Sequence, residues 1–375
     1  MKILLITPTS QQVVGFRKNL IEHLQENNFE VSVLTFDEAY KQTIIERNIE
    51  FHCVVDKNRS LNLIKILTLK NKYCAEIKKI NPDIVFTFML KPNIFGTRAA
   101  KQAGVNKIFS MVEGAGDVFI NNGLKWKIIR SVVCKMYRKS FKYANKVFFL
   151  NNDDKMEFVQ KGLVKEDKCE IIHGIGVDTE HFAYKPIKNH RTFLMIARML
   201  KTKGVYEYCK CARIVKQKYP DAVFNYLGAE GTVKLSDIQE YIDDGSINYL
   251  GTTKDVRPYL EDTLLLLLSS YREGMPMSIM EAEAVGRGII TSDGIGCKDT
   301  VEDEYNGFVV PHDDYKQMAE KVIWCIEHPE EAEQMGKNAR IFAEENFEQK
   351  KINEFIVKVI KENEQSVSID YYTRV

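Results

Sequence analysis

The sequence lacks several features by which common classes of protein are recognised. Its 53 basic and 52 acidic residues nearly cancel, so no overall field favours nucleic acid. The eight cysteines include no Cys-x-x-Cys pair, which argues against a zinc site and favours buried, reduced thiols. No apolar run approaches the roughly 20 residues that a membrane-spanning helix needs. There is no internal repeat either, and the remaining interpretation is a 375-residue globular protein with room for two domains.

The amino terminus also lacks the pattern of a secretory signal. The apolar segment at residues 3–6 is brief, and no small-residue cleavage site follows it, so we expect a first strand there. A helical pattern over residues 16–26 and a second strand over residues 31–35 follow. This βαβ beginning predicts a parallel sheet with crossover helices. The loop before the helix contains Gly15 but no Gly-x-Gly-x-x-Gly motif.

The most informative stretch is residues 264–288. Five consecutive leucines, residues 264–268, predict a strand that is buried on both faces. Gly274 permits a sharp turn, Pro276 suits the first turn of a helix, and Gly286 ends that helix. The N–H groups at residues 274–278, together with roughly half a positive charge from the helix dipole, predict an anion site.

Two carboxylates accompany this anion site. Glu273 precedes the helix, and Glu281 lies in its second turn. Carboxylates accept charge-assisted hydrogen bonds, which suits them to sugar hydroxyls beside a bound phosphate. Taken alone, two glutamates at this spacing are also found at a solvated helix start with a capping side chain.

Polar loops follow other predicted strands. The sequence predicts strands at residues 84–88, 107–111 and 193–197. Lys91 and Asn93 follow the first, and Glu113 and Gly114 follow the second; ligands bind in such loops of open α/β sheets. A lone loop glutamate such as Glu113 is also typical of plain solvation.

Two basic residues follow the strand at residues 193–197. Arg198 offers a planar fork and Lys203 a mobile point charge, which together suit a diphosphate. Basic residues in loops are commonly just solvated, so the pair gains meaning from its position upstream of Glu273 and Glu281.

Residues 125–146 form a dense basic segment without any acidic residue. One set of its apolar residues recurs at helical spacing: Trp126, Ile129, Val133, Met136 and Tyr137. Its cations include Lys125, Arg130, Lys135, Arg138, Lys139 and Lys142. This composition is expected of an amphipathic helix lying on anionic lipid, and also of a core helix with a solvated basic face.

A polar, irregular segment with Pro186 marks a domain boundary at residues 183–190. We therefore predict an amino-terminal domain at residues 1–185, a second domain at 190–345, and a carboxyl-terminal helix and tail at 346–375. The tail after Ser366 has no strong pattern, and disorder is expected there.

Glu273 and Glu281, with Gly274-Met275-Pro276 between them, resemble the E-x7-E signature of glycosyltransferase family 4. Arg198 and Lys203-Gly204 resemble the diphosphate-binding pair of that family. The resemblance covers nearly the whole chain and is to bacterial members that extend lipid-linked oligosaccharides or polysaccharide repeat units. It implies an α/β protein of GT-B fold, with two Rossmann-like domains whose parallel sheets face a cleft and a last helix that returns to the first domain.

The resemblance also implies an activity and a set of site residues. It implies a retaining transferase that moves an N-acetylhexosamine or hexose from a UDP-sugar to a lipid-linked saccharide, with no metal and no cofactor. The implied catalytic residues are Glu273, Arg198 and Lys203. The implied donor-binding residues add Gly15, Gly251, Gly274, Met275, Pro276, Met277, Ser278 and Glu281. The implied acceptor-binding residues are Lys91, Asn93, Glu113 and Gly114. Where many relatives have a histidine near the first of these loops, Met89-Leu90 stand here, which leaves no histidine assigned to the donor sugar.

The expected location is the cytoplasm, with peripheral attachment to the inner face of the cell membrane through residues 125–146, and no nucleic acid is expected as partner. Three alternatives stay open: a glycosidase that uses Glu273 and Glu281 as acid and nucleophile, a UDP-sugar epimerase of GT-B fold, and a non-catalytic protein that binds nucleotide sugars. In the family, residues 306–311 correspond to a closing turn.

Overall fold

The computed structural model describes residues 1–55, 63–120 and 123–369. Residues 61–62, at the start of a helix that the sequence predicts, lie outside this range, as do residues 370–375 of the predicted tail. The chain folds as two units. The first contains residues 1–175 and the described residues from 350 onward, and the second contains residues 176–349.

The first unit is a seven-stranded parallel sheet. Its strands are β1 (Lys2–Ile6), β2 (Glu30–Thr35), β3 (Glu50–Cys53), β4 (Ile84–Phe88), β5 (Lys107–Val112), β6 (Lys146–Phe149) and β7 (Cys169–Ile171). Their spatial order is β3-β2-β1-β4-β5-β6-β7, so the order reverses between β1 and β4.

The helices of this unit connect those strands. They are α1 (Ser10–Val14), α2 (Lys18–Glu26), α3 (Lys41–Ile45), α4 (Leu63–Ile80), α5 (Thr97–Ala103), α6 (Asp117–Ile120), α7 (Leu124–Phe141) and α8 (Asn152–Gln160). Residues 92–96 form a π-helical turn that leads from β4 into α5. The parallel sheet that the βαβ beginning predicts is confirmed, but the helix predicted at residues 16–26 begins only at Lys18 and follows the separate short α1.

The second unit is a six-stranded parallel sheet. Its strands are β8 (Thr192–Ile196), β9 (Val223–Leu227), β10 (Asn248–Tyr249), β11 (Leu265–Leu268), β12 (Gly288–Ser292) and β13 (Gly307–Val310). Its helices are α9 (Val205–Lys218), α10 (Gln239–Asp243), α11 (Arg257–Glu261), α12 (Met277–Val285), α13 (Tyr315–Glu327) and α14 (Pro329–Asn346). The strand order is β10-β9-β8-β11-β12-β13.

The strand predicted from five leucines lies at the centre of this sheet. Leu265, Leu266, Leu267 and Leu268 are at most 2% exposed, so the prediction that both faces of β11 are buried is confirmed. The strand pairs with β8 on one side and β12 on the other. Helix α12 begins after Pro276 and ends at Gly286, whose φ of 86° is the left-handed conformation that glycine adopts readily.

The boundary between the units lies earlier than the predicted segment at residues 183–190. Residues 176–185 pack with the second unit, because the guanidinium of Arg340 donates to the carbonyls of Thr179 and Phe182, at 3.0 and 2.9 Å. The last helix, α15 (Gln349–Ile369), belongs from residue 350 onward to the first unit. It continues past Ser366, where the sequence predicts disorder.

Candidate active site

The candidate donor site lies at the carboxyl edge of the second sheet, where the strand order reverses. Strands β8 and β11 are neighbours at the centre of the sheet. Strands β9 and β10 are added on the side of β8, and strands β12 and β13 are added on the side of β11. Loops that leave such a pair of strands diverge and leave a crevice, which is where open α/β sheets bind ligands. The loop after β8 carries Lys203, and the loop after β11 carries Glu273.

The structure brings these two predicted residues together. The Nζ atom of Lys203 forms an ion pair with Oε1 of Glu273, and both side chains are mostly buried, with 25% and 14% exposure. The backbones of the two loops are also joined, because the N–H of Tyr271 donates to the carbonyl of Thr202 at 2.9 Å. Two segments that are 70 residues apart in sequence thus form one corner.

Two glycines permit this close approach. A Cβ atom on Gly204 would lie 2.4 Å from the carbonyl oxygen of Ser269, and the φ of Gly204 is +77°. In the loop after β12, a Cβ on Gly296 would lie 2.5 Å from the carbonyl oxygen of Glu273. The N–H of Glu273 also donates to the carbonyl of Ile295 at 2.8 Å. Any larger residue at either glycine would push these loops apart.

The amino end of α12 follows Glu273 after three residues, so it lies close to this corner. Among the described residues no side chain caps the helix, and no acidic residue lies in its first turn. The first N–H groups of a helix have no partner within it, so this end presents donors and partial positive charge. Met275 and Pro276 are buried and fix the turn, whereas Gly274, Met277 and Ser278 are half-buried. The arrangement suits an anion.

Glu281 lies in the second turn of α12 and is half-buried. Burial raises the pKa of Glu281 to about 7, and its side chain has no hydrogen-bonding partner among the described residues. A third carboxylate nearby, Glu283, is one that the sequence does not single out. Glu283 is fully buried and accepts a hydrogen bond from Nδ2 of Asn306 at 2.7 Å, and burial raises its pKa well above the ordinary value. Glu283 is therefore part of the core.

Three predicted donor-site residues are not joined to this corner. Arg198 follows β8, but its side chain is exposed and makes no hydrogen bond or ion pair with any described residue. Gly251 follows β10, two strands away from β8; its φ is +75°, and its carbonyl accepts from the N–H of Gly228 at 2.8 Å. Gly15 belongs to the first unit, where it is exposed after α1. Their roles stay predictions.

The predicted acceptor residues lie at the carboxyl edge of the first sheet. Lys91 is half-buried, with Nζ 5.9 Å from the ring centre of Phe36. Gly114 has a φ of 125° directly after Glu113. Asn93 has no exposed surface: its Nδ2 donates to the carbonyl of Met111 at 2.7 Å and its Oδ1 accepts from Thr87 at 2.8 Å. Both the oxygen and the nitrogen of the Asn93 amide are thus hydrogen-bonded within the core. In this conformation Asn93 cannot contact an acceptor saccharide, which corrects its predicted role.

Glu113 forms an ion pair with a residue that the sequence does not predict to lie in a site. The Nη2 atom of Arg17 forms an ion pair with Oε1 of Glu113, and the Arg17 side chain is only 3% exposed. Burial lowers the pKa of Arg17 to about 9, so the guanidinium stays charged at neutral pH. Arg17 lies in a predicted helical stretch, where an arginine ordinarily faces solvent, so no pattern marks it.

The basic segment forms α7, but its predicted apolar face is not exposed. Val133 and Tyr137 are at most 1% exposed. Trp126, Ile129 and Met136 are partly buried against the same core. These residues therefore pack inward, as in the alternative of a core helix with a solvated basic face. A different apolar row, Leu124, Ile128 and Val132, is exposed by 76%, 59% and 42%.

Comparisons with known proteins agree with this architecture. A family model described as glycosyl transferases group 1 matches residues 177–342, and one described as glycosyl transferase 4-like matches residues 2–151. An N,N'-diacetylbacillosaminyl-diphospho-undecaprenol α-1,3-N-acetylgalactosaminyltransferase of Campylobacter jejuni is 30% identical over 355 residues, covering 90% of this chain and 93% of its own. A UDP-Gal:α-D-GlcNAc-diphosphoundecaprenol α-1,3-galactosyltransferase of Escherichia coli is 26% identical, covering 78% and 79%.

Solved structures share the fold over almost the whole chain. The Anabaena protein Alr3699/HepE, crystallised in complex with UDP, superposes with a TM-score of 0.79 at 17% identity, covering 96% of this chain and all of that one. A glycosyltransferase from Rickettsia africae gives 0.76 at 20% identity, covering 96% and 98%. None of the helices described in this structure combines the length and the hydropathy needed to span a bilayer.

Proposed function

This chain belongs to the family 4-like glycosyltransferases of GT-B fold, and from that premise we propose that it moves a sugar from a UDP-sugar to a lipid-linked saccharide, with retention of the anomeric configuration. The transferred sugar is an N-acetylhexosamine or a hexose, and the product contributes to a surface polysaccharide or glycan.

The corner formed by Lys203, Glu273 and the amino end of α12 carries this proposal. A nucleoside diphosphate needs several positive groups, and this corner offers one ammonium and a helix end that no side chain of the described residues caps. Glu273, held beside Lys203, accepts hydrogen bonds from the donor sugar, and Glu281 does so from the ribose. Arg198, which follows the same strand as Lys203, adds a second cation.

The chemistry follows from where charge develops. As the glycosidic bond to the diphosphate breaks, negative charge grows on the leaving oxygen, and Lys203, Arg198 and the helix end stabilise it. Because these groups supply the positive charge that the leaving diphosphate needs, transfer proceeds without a metal ion or other cofactor. The acceptor hydroxyl attacks from the face that the diphosphate leaves, which retains the configuration. Its oxygen forms the new bond to the anomeric carbon, and its proton passes to the departing diphosphate oxygen.

Two relatives support the acceptor class. Both the Campylobacter and the Escherichia enzymes act, by name, on a sugar attached to diphospho-undecaprenol, and the former is similar along nearly its whole length. We therefore assign this chain a polyprenyl-diphosphate saccharide as acceptor.

A transfer assay tests this function. The purified protein is incubated with UDP-N-acetylgalactosamine, UDP-N-acetylglucosamine or UDP-galactose and a short-chain polyprenyl-diphosphate N-acetylhexosamine, in EDTA. We expect one donor to give an α-linked disaccharide on the lipid. Absence of transfer from every donor, a β-linked product, or conversion of the UDP-sugar to an epimer without acceptor would contradict the proposal.

The exposed face of α7 is the second element of the proposal, and we assign it to the inner face of the cell membrane. Positions 124, 128, 132, 135, 139 and 142 follow one another at spacings of three or four, so they lie along one side of the helix. The first three are the exposed apolar row, and the last three are exposed lysines. A basic surface with an apolar end is what anionic lipid attracts, at about 1 kcal/mol per near-surface cation.

Vesicle binding tests this assignment. Changing Lys135, Lys139 and Lys142 to Glu should abolish cosedimentation with vesicles rich in phosphatidylglycerol and leave transfer to a water-soluble acceptor analogue unchanged. The charge-matched control changes Lys72, Lys78 and Lys101, exposed lysines on other helices of the same unit. Equal loss of binding in both triple variants, or none in either, would contradict a specific role for α7.

A further inference from the structure

The first unit contains a buried charge that the donor chemistry does not use. Arg17 precedes α2, and its guanidinium carbon lies 4.2 Å from the ring centre of Phe88, the last residue of β4. Its Nη2 atom pairs with Glu113, the first residue after β5. The three side chains thus come from the segment after β1 and from the ends of β4 and β5, and these strands are neighbours in the sheet. The strand order of this unit reverses between β1 and β4, so the pair lies beside the place where such sheets bind ligands.

Burying this pair is costly. The Arg17 side chain is 3% exposed, and its Nε atom has no hydrogen-bonding partner among the described residues. A buried ion pair of this kind is often no more stable than two apolar residues of similar volume in its place. Stability alone therefore does not account for the arginine, and its placement at the ligand-binding edge points to a role in binding.

The two partners differ in access. Whereas Arg17 is enclosed, the Glu113 side chain keeps 16% exposure. Its Oε1 atom is the buried one, which Arg17 contacts. Gly114, at a φ of 125°, turns the chain away immediately after it. One oxygen of the Glu113 carboxylate is thus held by Arg17, while part of the side chain stays accessible to solvent. A carboxylate fixed in this way is preorganised to accept a hydrogen bond from a hydroxyl group.

We propose that Arg17 is a positioning residue for the acceptor: through the buried ion pair it fixes the carboxylate of Glu113, which binds a hydroxyl of the acceptor saccharide. This inference rests on the proposed transfer to a saccharide acceptor and extends it to a residue outside the donor corner. Arg17 itself does not touch the acceptor.

Steady-state kinetics with single and double variants test the inference. Arg17→Met keeps the packing on Phe88 but releases Glu113, and Glu113→Gln keeps the shape but removes the charge. Each should raise the KM for the acceptor about tenfold, the size of one charge-assisted hydrogen bond, and leave the KM for the UDP-sugar unchanged. The double variant Arg17→Met, Glu113→Gln should be no worse than either single one, because both remove the same interaction.

An apolar replacement separates positioning from stability. The pair Arg17→Met, Glu113→Leu should unfold at or above the wild-type temperature, because no buried charge is left unpaired, yet keep the raised KM for the acceptor. Recovery of the wild-type KM in this variant, or an acceptor KM within twofold of wild type in active Glu113→Gln or Arg17→Met, would overturn the inference. A wild-type protein that transfers to no saccharide would instead contradict the proposed function.

Discussion

Lys203 and Glu273 join two loops into one corner through a single ion pair. Neither residue is unusual by type, and each alone would be solvated in most loops. Their meaning comes from the strands that precede them, β8 and β11, which are adjacent only because the strand order reverses there. In this structure the two charges neutralise each other. In the function that we propose, the diphosphate is a stronger partner for Lys203 and frees Glu273 to bind the sugar.

Removing the Lys203 charge should therefore affect transfer strongly. We expect Lys203→Ala to lower kcat about 100-fold or more, the usual effect of losing one group that stabilises transition-state charge. Lys201→Ala is the matched control, because Lys201 is exposed in the same short turn. Turnover of the Lys203 variant near that of the Lys201 variant, measured by release of UDP, would refute the role.

The raised pKa of Glu281 predicts a pH-dependent stability. Its ordinary pKa is 4.5 and burial raises it to about 7. Between these values the folded protein keeps a proton that the unfolded chain loses, so the free energy of unfolding falls as the pH rises, by about 3 kcal/mol in total. The loss is complete above about pH 7.

Glu281→Gln removes this titration. The melting temperature of the variant should exceed that of the wild type, and this difference should be small at pH 5 and largest at pH 8. Glu320→Gln, on the exposed face of α13, is the control and should show the same difference from wild type at both pH values. A constant difference for Glu281→Gln would show that its carboxyl titrates normally.

At this scale the sequence predicts some residues and misses others for physical reasons. The proximity of Lys203 and Glu273 can be predicted because each residue follows a predicted strand, and the carboxyl ends of parallel strands meet at one edge of the sheet. Arg17 and Glu283 are missed because their burial depends on tertiary packing, which no local pattern reports. Asn93 is expected in an exposed loop, but the π-helical turn at residues 92–96 carries it into the core.

At the scale of elements, the link between the loop after β8 and the end of β11 depends on Gly204. An alanine there would meet the carbonyl of Ser269 and would also adopt an unfavourable positive φ. Gly245 has a similar φ of +72°, but no atom of the residues that the structure describes lies within 4 Å of its Cβ position. An alanine at Gly204 would therefore suffer both a steric clash and backbone strain, whereas an alanine at Gly245 would suffer backbone strain alone, at a cost of about 1 kcal/mol.

We expect Gly204→Ala to lose UDP binding and Gly245→Ala to keep it. Both should lower the melting temperature, the first by more, because only there must two loops move apart. The measurement is the rise in melting temperature caused by UDP, which vanishes when the ligand does not bind. An equal rise in both variants would mean that the β8 and β11 loops need not touch for binding.

Long, strongly patterned elements are predicted well from the sequence, and short ones are not. The leucine strand and α12 are confirmed because an apolar run and flanking glycines define them locally. The family resemblance predicts a closing turn at residues 306–311, but Gly307–Val310 form β13, which pairs with β12 across the sheet. On α7 the apolar spacing is correct for a helix but does not say which of two apolar rows faces the core.

At the scale of the whole molecule, the two units share one arrangement: a parallel sheet with a charged pair at its carboxyl edge. Each unit is a parallel sheet whose strand order reverses once, and each has a charged pair at or next to that reversal. In the second unit Lys203 and Glu273 follow the two strands of the reversal; in the first, Arg17 follows β1, and Glu113 follows β5, the neighbour of β4. Alternating strands and helices predict two such units from the sequence. The position of the boundary is less predictable, because the contacts of Arg340 with Thr179 and Phe182 assign residues 176–185 to the second unit.

The central claim is that the corner at β8, β11 and α12 holds a diphosphate without a metal ion. Calorimetric titration of the wild-type protein with UDP and with uridine, both in EDTA, tests it most directly. The account predicts that UDP binds about 100-fold or more tightly than uridine, since two charge-assisted contacts to phosphate are each worth about tenfold. Equal affinities for the two ligands, or UDP binding that disappears in EDTA, would contradict it.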